Sequence, residues 1–338
     1  MNPRSRSIPL DVLRALAAMQ VILFHLGIFH CLGALGVDLF FVLSGFFISG
    51  ILFSDIQTYG TIRLSHFWIN RAFKILPPLI VLCAFILLFM HDPKTISAVQ
   101  NALFFCADYR WAGWTLLSHT WSLSVEEQFY LCLPFILILM RNKIKYFPIM
   151  YLIVLVGTFI LRLQPGTINS DGAVTMFHLR TDNLLTGVMI RWLVDYKPNW
   201  FSRIADWSLI PGLFCWLPAL GISLAQDNLI LHSLMYTLID ISCGTLVIWC
   251  YAHDTNRIWI SLPTRWLAST GLSSYSIYLW QQPIVSILRW GKSTALPPII
   301  APIVAFALSI FVGWIMYRLI EIPTMNARKV INQFISEV

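Results

Sequence analysis

The sequence predicts an all-α, polytopic integral membrane protein with about ten transmembrane helices and both termini in the cytoplasm. Three observations carry that prediction. First, 58% of the 338 residues are hydrophobic and 12% are charged, about half the charged share of a soluble domain. Second, ten runs are long and apolar enough to cross a bilayer. They cover approximately 10–30, 34–53, 75–91, 121–140, 147–163, 176–194, 206–225, 230–252, 272–290 and 297–319. Third, the 23 Lys and Arg are unevenly divided between alternate loops. With the N-terminus inside, sixteen lie on the inner side, five lie outside (Lys94, Arg110, Arg162, Arg289 and Lys292), and Arg14 and Arg180 fall within spans. Lys and Arg collect on the cytoplasmic side of membrane proteins. The net charge of +7 is therefore topology, and a nucleic-acid partner is excluded.

The first run follows Arg4 and Arg6, as a signal peptide would. Asp11 and Arg14 interrupt any h-region, however, and no small-residue cleavage site follows, so the run reads as a retained span. The segment 98–107 is apolar but too short to cross, which suggests an interfacial or re-entrant piece. Repeats, low-complexity linkers and long polar insertions are absent from the sequence. A single membrane domain over 1–338 is expected, without a soluble C-terminal domain. The seven cysteines (31, 83, 106, 132, 215, 243 and 250) are odd in number and form no C-x-x-C pair. They read as buried thiols, neither a disulfide framework nor a metal site.

Function is sought in the polar residues that interrupt the apolar runs, because each is costly in lipid. Arg14 and His25 are eleven residues apart, within ~20° of one helix face and ~16 Å apart along the axis. Arg14 falls just inside the cytoplasmic surface and His25 in the outer half. The second run, GVDLFFVLSGFFISG, carries Asp38 near its outer end and Ser44 and Gly45 in its middle; the small residues suit close helix contact. In FWINRAFKILPPL, Arg71 and Lys74 fall one turn apart in an inner loop before a span that starts at Pro77 and Pro78. They read as a positive-inside anchor or as a clamp for phosphates. In WSLSVEEQFYL, Glu126 and Glu127 lie about one turn inside the outer surface. Glu126 at that depth can orient the His25 imidazole as a base. FHLRTDNLLTG brings Arg180 and Asp182 in from the outer side, and SSYSIYLWQQP places Tyr275, Tyr278, Gln281 and Gln282 along one span, kinked at Pro283. The closing YRLIEIP reads as a helix stop at the cytoplasmic face.

Sorted by depth, Arg14, Arg71 and Lys74 form a cationic inner group, while His25, Asp38, Glu126, Arg180 and Asp182 form an outer one. Such a pair of groups suits an anionic donor from the cytoplasm and an acceptor outside. Coenzyme A fits: its phosphates need cations, and its extended pantetheine arm is of the order of the ~16 Å between Arg14 and His25.

The Arg14-to-His25 spacing, GVDLFFVLSGFFIS, NRAFKILPP, WSLSVEEQFY, LRTDNLLTG, SSYSIYLWQQP and EIP occur in the order found in the membrane acyltransferase 3 family. The chain resembles that family from about residue 8 to 324. The resemblance implies O-acylation, usually O-acetylation, of a surface or exported carbohydrate such as lipopolysaccharide O-antigen. Acetyl-CoA would be the co-substrate, with no permanently bound cofactor and no metal, in the inner membrane of a bacterium. The family's essential arginine and histidine fall on Arg14 and His25, and its glutamate falls on Glu126. Its inner basic motif falls better on Arg71 than on Lys74. Some members add a soluble C-terminal transferase domain. The resemblance also implies donor binding by Arg14, Arg71 and Lys74 and chemistry at His25, either through a covalent acetyl-histidine or by direct base-assisted transfer. Asp38, Arg180, Asp182 and Tyr278 would supply acceptor contacts and a supporting network. The competing class is a transporter or flippase for a sugar or lipid-linked intermediate, which lacks the paired repeats that such folds show.

Overall fold

The computed structural model describes residues 6–28, 33–110, 113–164, 175–214, 217, 228–290, 297 and 300–337. The far ends of the expected runs 10–30 and 206–225 lie outside the described residues, as do the start of 297–319, Arg4, Lys292, Cys31 and Cys215. Within the described residues the regular structure is helical: α1 (Ile8–His25), α2 (Gly33–Tyr59), α3 (Leu64–Phe89), α4 (Pro93–Leu103), α5 (Thr120–Met140), α6 (Phe147–Arg162), α7 (Thr181–Tyr196), α8 (Pro198–Phe214), α9 (Leu229–Ala252), α10 (Leu262–Leu272), α11 (Ser274–Trp290), α12 (Ile300–Met316) and α13 (Ile322–Glu337).

Six helical stretches among the described residues are long and apolar enough to cross a membrane: Ile8–His25, Leu35–Tyr59, Leu64–Phe89, Thr120–Arg162, Leu229–Ala252 and Ile300–Val330. The fourth is two helices, α5 and α6, which turn at a 3-10 segment, Arg141–Tyr146. The runs at 176–194, 206–225 and 272–290 form α7, α8 and α11, of 16, 17 and 17 described residues, at the short end of the ~17–25 residues that a crossing takes. The all-helical membrane architecture stands, and the number ten is met only in part.

Several boundaries differ for physical reasons. The third run begins at Leu64, eleven residues before the expected 75, and carries Pro77 and Pro78 inside the helix. Packed neighbours re-satisfy the carbonyls that proline frees within membrane helices. Arg71 and Lys74 are therefore not in a loop: they lie ~10 and ~15 Å along α3 from its start. At the other end, EIP does not stop the chain. A π-turn, Tyr317–Glu321, joins α12 to α13, and Glu321 is buried. Segment 98–107 contributes to α4, whose first turn is capped by Asp92, accepting from the Lys94 and Thr95 N–H groups at 3.1 and 3.0 Å.

The helices pack most closely as α1 against α2 and α10, α2 against α7, α8 against α9, and α11 against α12. The α2–α7 crossing is set by glycine. A Cβ on Gly45 would stand 1.9 Å from the Leu184 carbonyl oxygen, and one on Gly187 would stand 2.0 Å from that of Val42. The contact role expected of Gly45 holds, and the backbones meet as small-residue crossings in membranes do. Outward faces are greasy: Leu139 is 83% exposed and Leu88 72%, which lipid accommodates and water would not. The described cysteines are free thiols, with 83, 243 and 250 buried, Cys106 half-buried and Cys132 exposed. Cys132 thus departs from the expected burial, because it sits on the outward face of α5.

Candidate functional site

A cavity of about 470 Å³ opens between α1, α2, α3, α5, α11 and α13. Its size suits a cofactor-scale ligand. Its walls carry six cations, Arg6, Arg14, Arg71, Lys74, Arg191 and Arg328, against three carboxylates, Asp11, Glu126 and Asp254. All three residues assigned to donor binding, Arg14, Arg71 and Lys74, line it. Their convergence follows from helix spacing: Arg71 and Lys74 are three apart and share a face of α3. Arg14 projects from α1, 3.7 Å from Asp11, which also accepts from Arg6 Nε at 2.6 Å.

Arg71 meets both an acid and an aromatic ring. Its guanidinium lies 3.5 Å from Glu127 and 4.2 Å above the Tyr130 ring. Tyr130 and Ser44 share a short hydroxyl–hydroxyl hydrogen bond. Glu126 faces the same space, beside Ser44, Arg71 and Lys74. The expectation that Glu126 belongs with His25 in an outer group is therefore corrected. On α5, Glu126 points toward α2 and α3, so it balances the donor-side cations. Glu127 is the residue that pairs with Arg71.

Ser122 and Tyr278 also line the cavity. Tyr278 donates to the His119 carbonyl at 2.8 Å and shares a short hydrogen bond with the Ser122 hydroxyl. His119 stands edge-on to the Tyr278 ring, centroids 5.3 Å apart. Beyond it lies His25, half-buried at the end of α1, with Nδ1 2.9 Å from the Val21 carbonyl. An Nδ1–H donor there makes Nε2 the acceptor nitrogen of the ring. The neighbours of His25 are Gln281 and His119, in the place expected of Glu126. His25 does not line the cavity.

Asp38, Arg180 and Asp182 are brought together, but not at the cavity. Arg180 binds Asp38 at 2.6 Å, and Arg162 binds Asp182 at 2.7 Å, all four side chains at most 3% exposed. Asn183 donates to Asp38 at 2.8 Å. Arg162, counted in an outer loop from sequence, is instead the buried end of α6; its guanidinium also donates twice to the Leu179 carbonyl, at 2.6 and 2.9 Å. Arg180 stacks over Tyr236 at 4.8 Å. Asp240 of α9 joins this cluster as a third carboxylate, with neither oxygen hydrogen-bonded. Two guanidiniums serve three carboxyls, so Asp240 has no cation of its own. Asp240→Asn is expected to change stability by no more than about 1 kcal/mol, whereas Asp38→Asn strands Arg180 and is expected to cost about 3–5 kcal/mol. Denaturant titration of the purified protein in mild detergent distinguishes the two.

Sequence reasoning missed Arg6, Arg191 and Arg328 as cavity cations. Each had been absorbed into the positive-inside count, and nothing local separates a wall cation from an anchor. Glu321 was also passed over, as part of a helix stop. It accepts from Ser276 at 2.9 Å and neighbours Lys74 and Arg14. A π-turn beside a site recurs in functional helices, but its signature is not readable from YRLIEIP. Among the described residues no group of His, Cys, Asp and Glu could hold a metal ion.

Residues 8–318 match the family model described as an acyltransferase domain. The chain belongs to the acyltransferase 3 family. It is similar to the O-acetyltransferase OatA of Staphylococcus aureus strain NCTC 8325 / PS 47, 27% identical over 342 residues that cover 93% of this chain and 56% of that protein. It is likewise similar to the peptidoglycan O-acetyltransferase OatA of Listeria monocytogenes serovar 1/2a, 26% identical over 348 residues, 93% of this chain and 55% of that one. The chain thus spans a little over half the length of these curated relatives. No solved structure matches it.

Proposed function

We propose that the chain is a membrane O-acyltransferase that moves an acetyl group from cytoplasmic acetyl-CoA to a hydroxyl of a cell-surface carbohydrate. The observation that carries this reading is the cationic cavity lined by Arg14, Arg71, Lys74, Ser122 and Tyr278, whose Tyr278 touches His119, a neighbour of His25. Phosphates of coenzyme A would be held by those arginines and by Arg191 or Arg328, since guanidinium forks match phosphate geometry. The pantetheine arm would run along the cavity toward Tyr278. His25 would act on the acyl carbon or on the acceptor hydroxyl. Ten crossings of a bacterial inner membrane, with both termini cytoplasmic, would put the cavity mouth on the side where acetyl-CoA is made. Family membership and the O-acetyltransferase relatives support the reaction class. The Listeria relative is named for peptidoglycan, which supports a cell-wall glycan as acceptor; O-antigen of lipopolysaccharide is the other carbohydrate to test.

The test is mass spectrometry of surface glycans from cells expressing wild type or His25→Ala at equal membrane levels. Wild type is expected to add one acetyl mass per modified sugar, and His25→Ala to add none. Unmodified glycans together with a changed amount at the surface would instead favour transport of the glycan.

A further inference from the structure

We propose that His119 and Gln281, with His25, form a binding site for an uncharged hydroxyl group of the acceptor, next to Tyr278 of the donor-cavity wall. The proposal rests on the acyl-transfer reading above and deepens it. His119 is 2% exposed and neither ring nitrogen is hydrogen-bonded; Gln281 is fully buried and neither amide atom is hydrogen-bonded. Leaving a buried polar group unpaired costs about 1–3 kcal/mol, and most such groups in folded proteins find partners. Two of them around one imidazole are the mark of a site shaped for something polar.

The groups come from separate elements. His25 ends α1, His119 immediately precedes α5, and Gln281 lies midway along α11. His119 and His25 are electrostatic neighbours, and Gln281 is the side-chain neighbour of the His25 ring. Gln282, next in the chain, adds another buried and unpartnered amide oxygen. One change of rotamer or one bound hydroxyl is enough to engage the set.

The chemistry of the ligand follows from the groups present. A hydroxyl donates once and accepts, and neutral imidazole and carboxamide groups supply both an acceptor and a donor. Lys and Arg, which anions require, line the donor cavity instead. A neutral sugar hydroxyl therefore fits here better than a phosphate or a carboxylate. Tyr278 is common to both spaces: its hydroxyl is held by Ser122 on the cavity wall and by the His119 carbonyl.

The experiment uses membranes carrying the full chain, radiolabelled acetyl-CoA, and chitopentaose as the acceptor probe. Gln281→Leu and His119→Phe remove the polar atoms while filling the space; His119→Gln keeps a donor and an acceptor. The expected result is a tenfold or greater rise in the acceptor KM for the two apolar variants and partial recovery in His119→Gln. Protection of the protein by coenzyme A against heat would stay within twofold of wild type in its concentration dependence. If the apolar variants gain stability and keep the wild-type acceptor KM, the buried amide and imidazole are structural and the proposal falls. If wild type itself transfers no acetyl group to the probe, the acyl-transfer reading to glycans fails, and this inference goes with it.

Discussion

Arg71→Ala is expected to lower the kcat/KM for acetyl-CoA by roughly 10²–10³, the equivalent of about 3–4 kcal/mol of lost stabilisation. Two effects add. The variant deletes a cation from the cavity wall, and it leaves Glu127, 3.5 Å away in wild type, without its ion-pair partner beside Glu126. Two neighbouring carboxylates would then face the path of a polyanionic donor. Arg71→Lys should recover only part of the loss, since an ammonium keeps the charge but not the planar stacking over Tyr130. Steady-state kinetics at varied acetyl-CoA provide the check. Double substitution Arg71→Ala with Glu127→Gln should recover part of the binding, because it removes the stranded charge. Equal loss in the single and double variants would mean that only the cation mattered.

Gly187→Val is expected to be the most damaging change to the scaffold. The first added carbon would sit 2.0 Å from the Val42 oxygen and 2.6 Å from the Phe46 nitrogen, both backbone atoms that no rotamer change can move. Helices α2 and α7 must therefore separate. Overpacking of this kind costs about 1–3 kcal/mol and sometimes more. Here the separation also stretches the bonds from Arg180 and Asn183 to Asp38 that bridge the same two helices. Loss of the monodisperse peak on size-exclusion chromatography, or a large drop in the detergent-unfolding midpoint, is the expected observation. Gly157 is the control: a Cβ there meets nothing within 4 Å, so Gly157→Val should behave as wild type.

The difference between these two glycines shows where the sequence stops being informative. Both sit in apolar runs, and only the partner helix distinguishes them. The same holds for the arginines. Arg14, Arg71 and Lys74 were assigned to the donor from their order, depth and motif, and all three line one cavity. Arg191 and Arg328 line it too, yet in one dimension they look like ordinary inside-facing anchors. Arg162 looks like an outer loop residue, and it is the buried partner of Asp182.

By itself the sequence determined the solvent and the class. Low charge, long apolar runs and uneven Lys and Arg are properties of composition and order, and they need no neighbours to be read. The linked motifs likewise identified the family. Only the tertiary structure decided which polar residues stand together. Glu126 belongs with Arg71 and Lys74, while His25 stands with Gln281 and His119, because rotation about a helix axis chooses the partner. A helix turns ~100° per residue, so a depth read from sequence leaves its facing direction open. Packing at Gly45 and Gly187 closes that freedom, and with it the site is defined.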